Sequence, residues 1–398
     1  MLARWTIAFL LMLSAWHAAL AGQDDRSVKI GFLVDMAGPT SSTDGPATIE
    51  AARMAIDDVG GQALGRPITL LVADHQNKPD IGATLARRWY DAEDVDAIFD
   101  VNNSAVAFAV QDLARQAGRI VIFTAAASAD LTGSRCSPNG FHWLFDTYSQ
   151  AAATSASVVR QGGDTWFYLT VDYTFGRDLE AQSRRIVEAS GGKVLGGVRH
   201  PLGTADFSSY LLQVLTAKPK VLAFANSVQD LMTATKQASE FKLPARHVTF
   251  FFSLQDARAL GLEAVAGLQF LDAFYWDADE QTRQWSQRFH QRTGKMPTSQ
   301  NAGAYSAVMH YLKAVERAGT DQTDAVLKVF RSMPVDDFMT HGAVIREDGR
   351  LPRDMYLLEA KSPADSRGEW DYFKVVRRIP GSEAFRPLSE GGCPLVKP

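Results

Sequence analysis

The chain has 398 residues, 46% hydrophobic and 22% charged, which is ordinary globular usage and too long for one small core. A net charge of −4 gives no broad basic surface, which excludes duplex nucleic acid and anionic membrane as partners on charge grounds. Two cysteines and eight histidines are too few for a zinc domain, an iron–sulfur domain or a disulfide scaffold, and leave room for one bridge.

Residues 1–21 read as a cleaved secretory signal peptide. Arg4 gives the positive start, an apolar run from Trp5 to Ala15 follows, and Ala19-Leu20-Ala21 is an A-x-A cleavage site. The apolar run is shorter than the roughly 18–20 residues of a membrane span. No cysteine follows it to carry a lipid anchor. Export implies an oxidising compartment, so Cys136 and Cys393, both flanked by loop-like sequence, are expected to pair.

A strand is predicted over 28–35, then a Gly/Pro/Ser/Thr loop over 36–45. Small and apolar residues at helical spacing (Ala51, Ala52, Ala55, Ile56, Val59) predict a helix over 47–59, stopped by Gly60-Gly61. A strand over 68–73, a helix over 81–92, a strand over 95–101, a helix over 104–117 and a strand over 120–124 complete one unit. The alternation then repeats. Helices are predicted over 150–161, 175–190, 208–215 and 229–241, and strands over 165–171, 193–199, 221–225 and 248–252. This rhythm predicts mostly parallel sheets with helices on both faces, in two similar α/β halves. The last third breaks it, with helices over 282–293 and 302–318 and short segments over 343–346, 355–361 and 370–376.

Ligands of open α/β sheets bind beyond the carboxyl ends of the strands. In the first half these ends carry the loop 35–45, Asn102-Asn103-Ser104, and Thr124 to Ser128. Ser104 and Ser128, as hydroxyls at helix N-termini, suit a carboxylate, although each also suits a plain N-cap. In the second half the equivalent positions hold Tyr173 and Phe175, Asn226, and Gln255-Asp256. Core packing for Phe175 and helix capping for Asp256 are the ordinary alternatives. There is no G-x-S-x-G elbow, no H-E-x-x-H, no phosphate loop and no G-x-G-x-x-G, and the histidines lack metal spacing. No enzyme, metal or cofactor is implied.

The run Gly38-Pro39, Gly45, Ala51-Ala52, Gly60-Gly61, Gly65-Arg66-Pro67-Ile68, Asp74 and Pro79 resembles the opening of branched-chain amino-acid-type ABC-transporter substrate-binding proteins. The resemblance continues through Ser128 to Gly133, Asp172 to Gly176, Asp206 to Tyr210 and Asn301 to Tyr305, so it spans nearly the whole chain after residue 21. It implies an α/β type I periplasmic binding fold, with two doubly wound lobes joined by three crossovers. Lobe one would hold 28–146 and 277–337, and lobe two 147–273 and 341–378. The tail 379–398 would return to lobe one if Cys136 bonds Cys393.

The family's ligand positions map onto Ser104, Ala126, Ala127 and Ser128 for an α-carboxylate, and onto Phe175, with Tyr173 beside it, for an aromatic cover. Asn226 closes from lobe two, and Asp256 stands near the acidic partner of an α-ammonium, with Gln255 as the alternative. Thr43 and Asp44 stand where an aromatic often sits, which leaves room for a ligand bulkier than leucine. The implied function is a periplasmic receptor that delivers a small carboxylate-bearing ligand, an amino acid or aromatic acid, to an ABC permease in the inner membrane. It would act as a monomer, with no nucleic acid partner. The rivals are a ligand-sensing module for a membrane kinase or regulator and, far behind, an exported hydrolase.

Overall fold

A computed structural model describes residues 27–226 and 228–397; the expected signal peptide lies outside these residues. The first half runs β1 (Val28–Val34), α1 (Gly45–Asp58), β2 (Gln62–Ala63), β3 (Arg66–Asp74), α2 (Pro79–Asp91), β4 (Ala97–Asp100), α3 (Ser104–Ala117), β5 (Ile120–Phe123) and β6 (Gly140–His142). They form one sheet in the order β2-β3-β1-β4-β5-β6, parallel throughout except for the short β2. Successive side chains of a strand face opposite ways. Phe32 therefore joins Phe99, Ile49 and Tyr311 on one face, while Leu33 joins Trp89, Val106 and Val110 on the other. From β1 the chain moves outward to β3, then returns past β1 to β4. The loops after β1 and β4 thus diverge and leave a crevice between them.

The second half repeats the design with α4 (Thr147–Arg160), β7 (Thr165–Val171), α5 (Thr174–Ala189), β8 (Lys193–His200), α6 (Ser208–Ala217), β9 (Val221–Ala225), α7 (Val228–Glu240) and β10 (Arg246–Thr249). Its parallel sheet has the order β10-β9-β7-β8, so the diverging loops are those after β7 and β9. The strand expected over 248–252 ends at Thr249. Phe250 to Phe252 instead lead into α8 (Leu254–Leu260), whose N-cap is Ser253. The short α9 (Leu262–Val265) follows, then β11 (Gln269–Asp272).

The last third is more regular than its sequence pattern. Helices α10 (Glu280–Thr293), α11 (Ser299–Ala318) and α12 (Thr323–Ser332) return to the first half, with α10 and α11 packed on α1. Arg288 pairs with Asp58 at 2.5 Å and Arg292 with Asp57 at 2.6 Å. The hairpin β12 (Val335–Asp337) and β13 (Thr340–Ala343) precedes β14 (Met355–Ala360) and β15 (Phe373–Ile379), which form an antiparallel sheet with β11. Between β13 and β14, Arg350 pairs with His142 at the end of β6, and its buried guanidinium meets Asp146 at 2.7 Å. That part of the stretch 341–378, expected with the second lobe, therefore lies at the edge of the first sheet. The Arg350 guanidinium also donates to Leu144 O and its backbone joins His142, so hydrogen bonds hold this stretch there together with the ion pair. After α13 (Gly381–Ala384), Cys393 is bonded to Cys136, which fastens the tail to the loop between β5 and β6.

Candidate functional site

A narrow cavity lies between the two halves. Its first wall comes from the crevice between β1 and β4, with Thr40, Thr43, Asp44, Asn102 and Ser104, joined by Ala125 and Ala127 after β5 and by Gln300 of α11. Its second wall holds Tyr173 and Phe175 after β7, Val228 after β9, Phe251 after β10, and Phe145 from the crossover. One wall is polar and the other apolar and aromatic. Among the described residues, the lining includes no Arg, Lys or His.

The polar wall is held by its own hydrogen bonds. Asp35, at the end of β1, accepts from Gly38 N at 2.6 Å, Thr40 N at 3.0 Å, Thr40 Oγ1 at 2.7 Å and Asn77 Nδ2 at 2.8 Å. Burial alone would raise the Asp35 pKa, but these donors bring it below the usual carboxylate value. Gly38 has to be glycine, since a Cβ there would stand 2.4 Å from Asp35 Oδ1. Asn102 Nδ2 donates to Thr40 Oγ1 at 2.7 Å, and its Oδ1 meets His75 Nε2 at 2.6 Å. Burial lowers the His75 pKa below the usual imidazole value. Thr298 Oγ1 donates to Thr43 O at 2.7 Å and Asn301 Nδ2 to Thr48 Oγ1 at 2.9 Å, which moors the start of α11 and places Gln300 in the wall.

Asp44 precedes α1, and its Oδ1 accepts from Thr48 Oγ1 at 2.6 Å. Asp100, at the end of β4, accepts from Thr124 Oγ1 at 2.7 Å. Both carboxyls are buried and hydrogen-bonded to each other. Burial first, then the hydrogen-bonded neighbour, pushes the Asp100 pKa well up; burial pushes Asp44 up to about 6. The backbone beneath them is strained, with φ of +79° at Asp100 and +54° at Val101, the latter unusual for a β-branched residue.

Residues 27–368 match the sequence model of the periplasmic binding protein family. The chain belongs to that family. It is similar to a periplasmic binding protein of Burkholderia mallei, at 43% identity and a TM-score of 0.92, covering 94% of this chain and all of that one. A branched-chain amino acid ABC transporter periplasmic ligand-binding protein of Burkholderia xenovorans is 38% identical, with a TM-score of 0.82 and coverage of 93% and 100%. A Leu/Ile/Val-binding protein homologue of Brucella melitensis is 23% identical over 408 residues, covering 96% of this chain and 95% of that protein. The fold is that of the type I periplasmic binding proteins. The family comprises substrate-binding proteins of transporters, not enzymes.

In this periplasmic binding protein, Ser104, Ala127, Tyr173 and Phe175 come together in the cavity lining. Four other expected site residues do not. Ala126 is buried and is not among the lining residues, which include its neighbours Ala125 and Ala127. Ser128 Oγ donates instead to Asp178 Oδ2 on α5, at 2.7 Å. The same carboxylate accepts from Ala129 N at 3.0 Å and Thr147 Oγ1 at 2.8 Å, so it bridges the two halves beside the cavity. Asn226 is fully buried with Oδ1 on His200 Nε2 at 2.8 Å, behind the wall. Asp256 Oδ2 accepts from Ser253 N at 2.9 Å and Ser253 Oγ at 2.7 Å, a capping box at the start of α8. The neighbouring Gln255 donates to Met296 O at 3.0 Å and is not part of the lining either. The residues missed are Thr40, Asn102, Ala125, Phe145, Val228, Phe251 and Gln300 as wall and Asp178 as a bridge, while Thr43 and Asp44, read only as leaving room for a ligand, are also part of the lining.

Proposed function

We propose that this chain is an exported receptor that binds a small carboxylate-bearing ligand by closure of two lobes and delivers it to an ABC permease in the inner membrane. Lobe one would comprise 28–146 and 277–337, and lobe two 147–273 with 341–378 apart from the stretch beside β6, with crossovers near 146, 275 and 340. The single observation that carries this reading is the cavity with one wall from each half. A ligand there touches both walls only when they are together, so it selects the closed form. Ser104 opens α3, where the helix N-terminus favours negative charge. Tyr173, Phe175, Phe145 and Phe251 would cover an apolar or aromatic body. The family model and the transporter relatives support the receptor role. No helix among the described residues is long and apolar enough to cross a membrane, which accords with a receptor that needs a separate permease.

Isothermal titration against a panel of amino acids and aromatic acids tests the reading. We expect micromolar or tighter binding of at least one such acid, with a protein that becomes more compact in solution scattering. Absence of binding across the panel would sink it.

A further inference from the structure

A second cavity, of about 440 Å³, lies beside the hairpin of β12 and β13. Its walls come from β13, from the turn before β14, and from the end of β15 with the start of α13. Asp354 ties two of these walls together, accepting from Arg378 Nε at 2.8 Å and Gly381 N at 3.0 Å. The charged side chains of the lining are Arg346, Arg353, Arg378 and Asp354, three guanidiniums against one carboxylate. Arg378 is paired with Asp354, and Arg346 Nε donates to Asp348 Oδ1 at 3.2 Å. His341, also in the lining, is exposed and stands 3.7 Å from Asp336.

Arg353 has no such partner. It is 1% exposed, and its Nε, Nη1 and Nη2 find no acceptor among the described residues. Asp337 acts on it through space, but that carboxylate already accepts from Ser306 Oγ at 2.5 Å and Met339 N at 2.9 Å. Burial pulls the Arg353 pKa down to about 10, which leaves the group charged at neutral pH. Thr340 Oγ1, from another wall of the same cavity, is buried and has no partner either. A buried charge without a partner is costly, and so is a buried hydroxyl. Two separate elements thus bring unsatisfied donors to one cavity. The acceptor they lack has to come from what fills it.

We propose that this cavity is a binding site for a small oxyanion, with Arg353 and Thr340 as the residues that hold it. A guanidinium presents its N–H groups as a planar fork that matches the paired oxygens of a carboxylate, phosphate or sulfate. A round halide uses that fork poorly. The bound anion would join the hairpin to the strands β14 and β15, and so brace the chain where it enters the antiparallel sheet. The site is independent of the receptor reading, since it shares no lining residue with the cavity between the halves.

Melting curves in phosphate, sulfate and acetate, each against chloride at equal ionic strength, test the proposal. At least one oxyanion should give a saturable rise of about 3 °C over chloride when present at about a hundred times its dissociation constant. Acetate as the responder marks a carboxylate ligand, and phosphate or sulfate marks a tetrahedral oxyanion; either supports the site. Arg353→Met keeps the apolar stem. It should abolish the rise and should melt in chloride at or above the parent protein, because it removes an unpaired buried charge. Arg353→Lys and Thr340→Val should each raise the half-saturating concentration at least about tenfold, and they carry the test if Arg353→Met does not fold. An equal rise in chloride overturns the site as a general salt effect. A rise that persists in Arg353→Met overturns it by placing the anion elsewhere. No response to any anion overturns it in favour of a guanidinium solvated by water alone.

Discussion

The two cavity walls stand at equivalent places in two similar sheets, yet they differ in kind. Each lies where loops diverge from neighbouring parallel strands, β1 and β4 on one side and β7 and β9 on the other. The first wall is polar and braced by its own hydrogen bonds, from Asp35 through Thr40 and Asn102 to His75. The second is a set of rings, with Tyr173 and Phe175 at 5.9 Å and Phe145 and Phe251 at 5.5 Å between centroids. Topology therefore fixes where the cavity lies, and the residues in the loops fix what each side contributes to it. The braced wall suits orientation, since its donors and acceptors need no rearrangement on binding. The aromatic wall suits burial, which is non-directional and tolerates a moving surface.

The strongest way to separate the walls is covalent. The bridge from Cys136 to Cys393 fastens the tail beside the polar wall and closes a loop of 257 residues. Cys136→Ser with Cys393→Ser should lower unfolding stability by about 4 kcal/mol, read from chemical denaturation. Ligand affinity in the folded fraction should change little, because neither cysteine is part of the lining. An equal loss of affinity would mean that the polar wall is not braced from within.

The aromatic wall gives the next largest effect. Phe175→Ala removes a buried ring from the cavity and should weaken binding by about 2–3 kcal/mol, roughly 30- to 150-fold in Kd. Titration with the tightest acid of the panel measures it. Preference among ligands that differ only in their polar groups should survive, since the polar side chains of the lining stand mostly on the other wall. If Phe175→Ala changed selectivity and left overall affinity alone, the division of labour would be wrong.

Much of the fold can be read from the chain. Helix 104–117 and strands 165–171 and 221–225 match their expected limits, because a small apolar helical face and short dense apolar runs mark them. What failed to show was long-range. Gln300 enters the cavity only because Thr298 and Asn301 tie α11 to the loop and helix of the first half, some 250 residues earlier in the chain. Phe145 and Phe251 sit in connections with no periodic pattern. Strand β11, with four residues, and β6, with three, are too short to signal themselves. Asp256 is different, since Ser253 three residues before it is a visible capping signature that could have outweighed a ligand role. Ser128 was legible as a polar loop residue, but its partner Asp178 lies fifty positions away on another helix.

That partner gives the smallest effect expected here and the one that touches both walls. Asp178 rides on α5, one turn after Phe175, and its Oδ2 gathers Ser128 Oγ and Ala129 N from the first half and Thr147 Oγ1 from the start of α4 in its own half. Oδ1 is engaged by Gln182 Nε2 at 3.1 Å on the same helix. The contacts with Ser128 and Ala129 form only while the halves are together, so they add to the closed form without touching the ligand. Asp178 is half-buried, and a hydrogen bond to a charged group at such a site contributes modestly after exchange with water. Asp178→Ala should therefore weaken every ligand alike, by about 1 kcal/mol or roughly fivefold, and should make the unliganded protein less compact in solution scattering. The opposite result carries equal information. If Asp178→Ala tightened binding of carboxylates, then Asp178 would be competing for Ser128, and that hydroxyl would belong to the ligand as its place after β5 first implied.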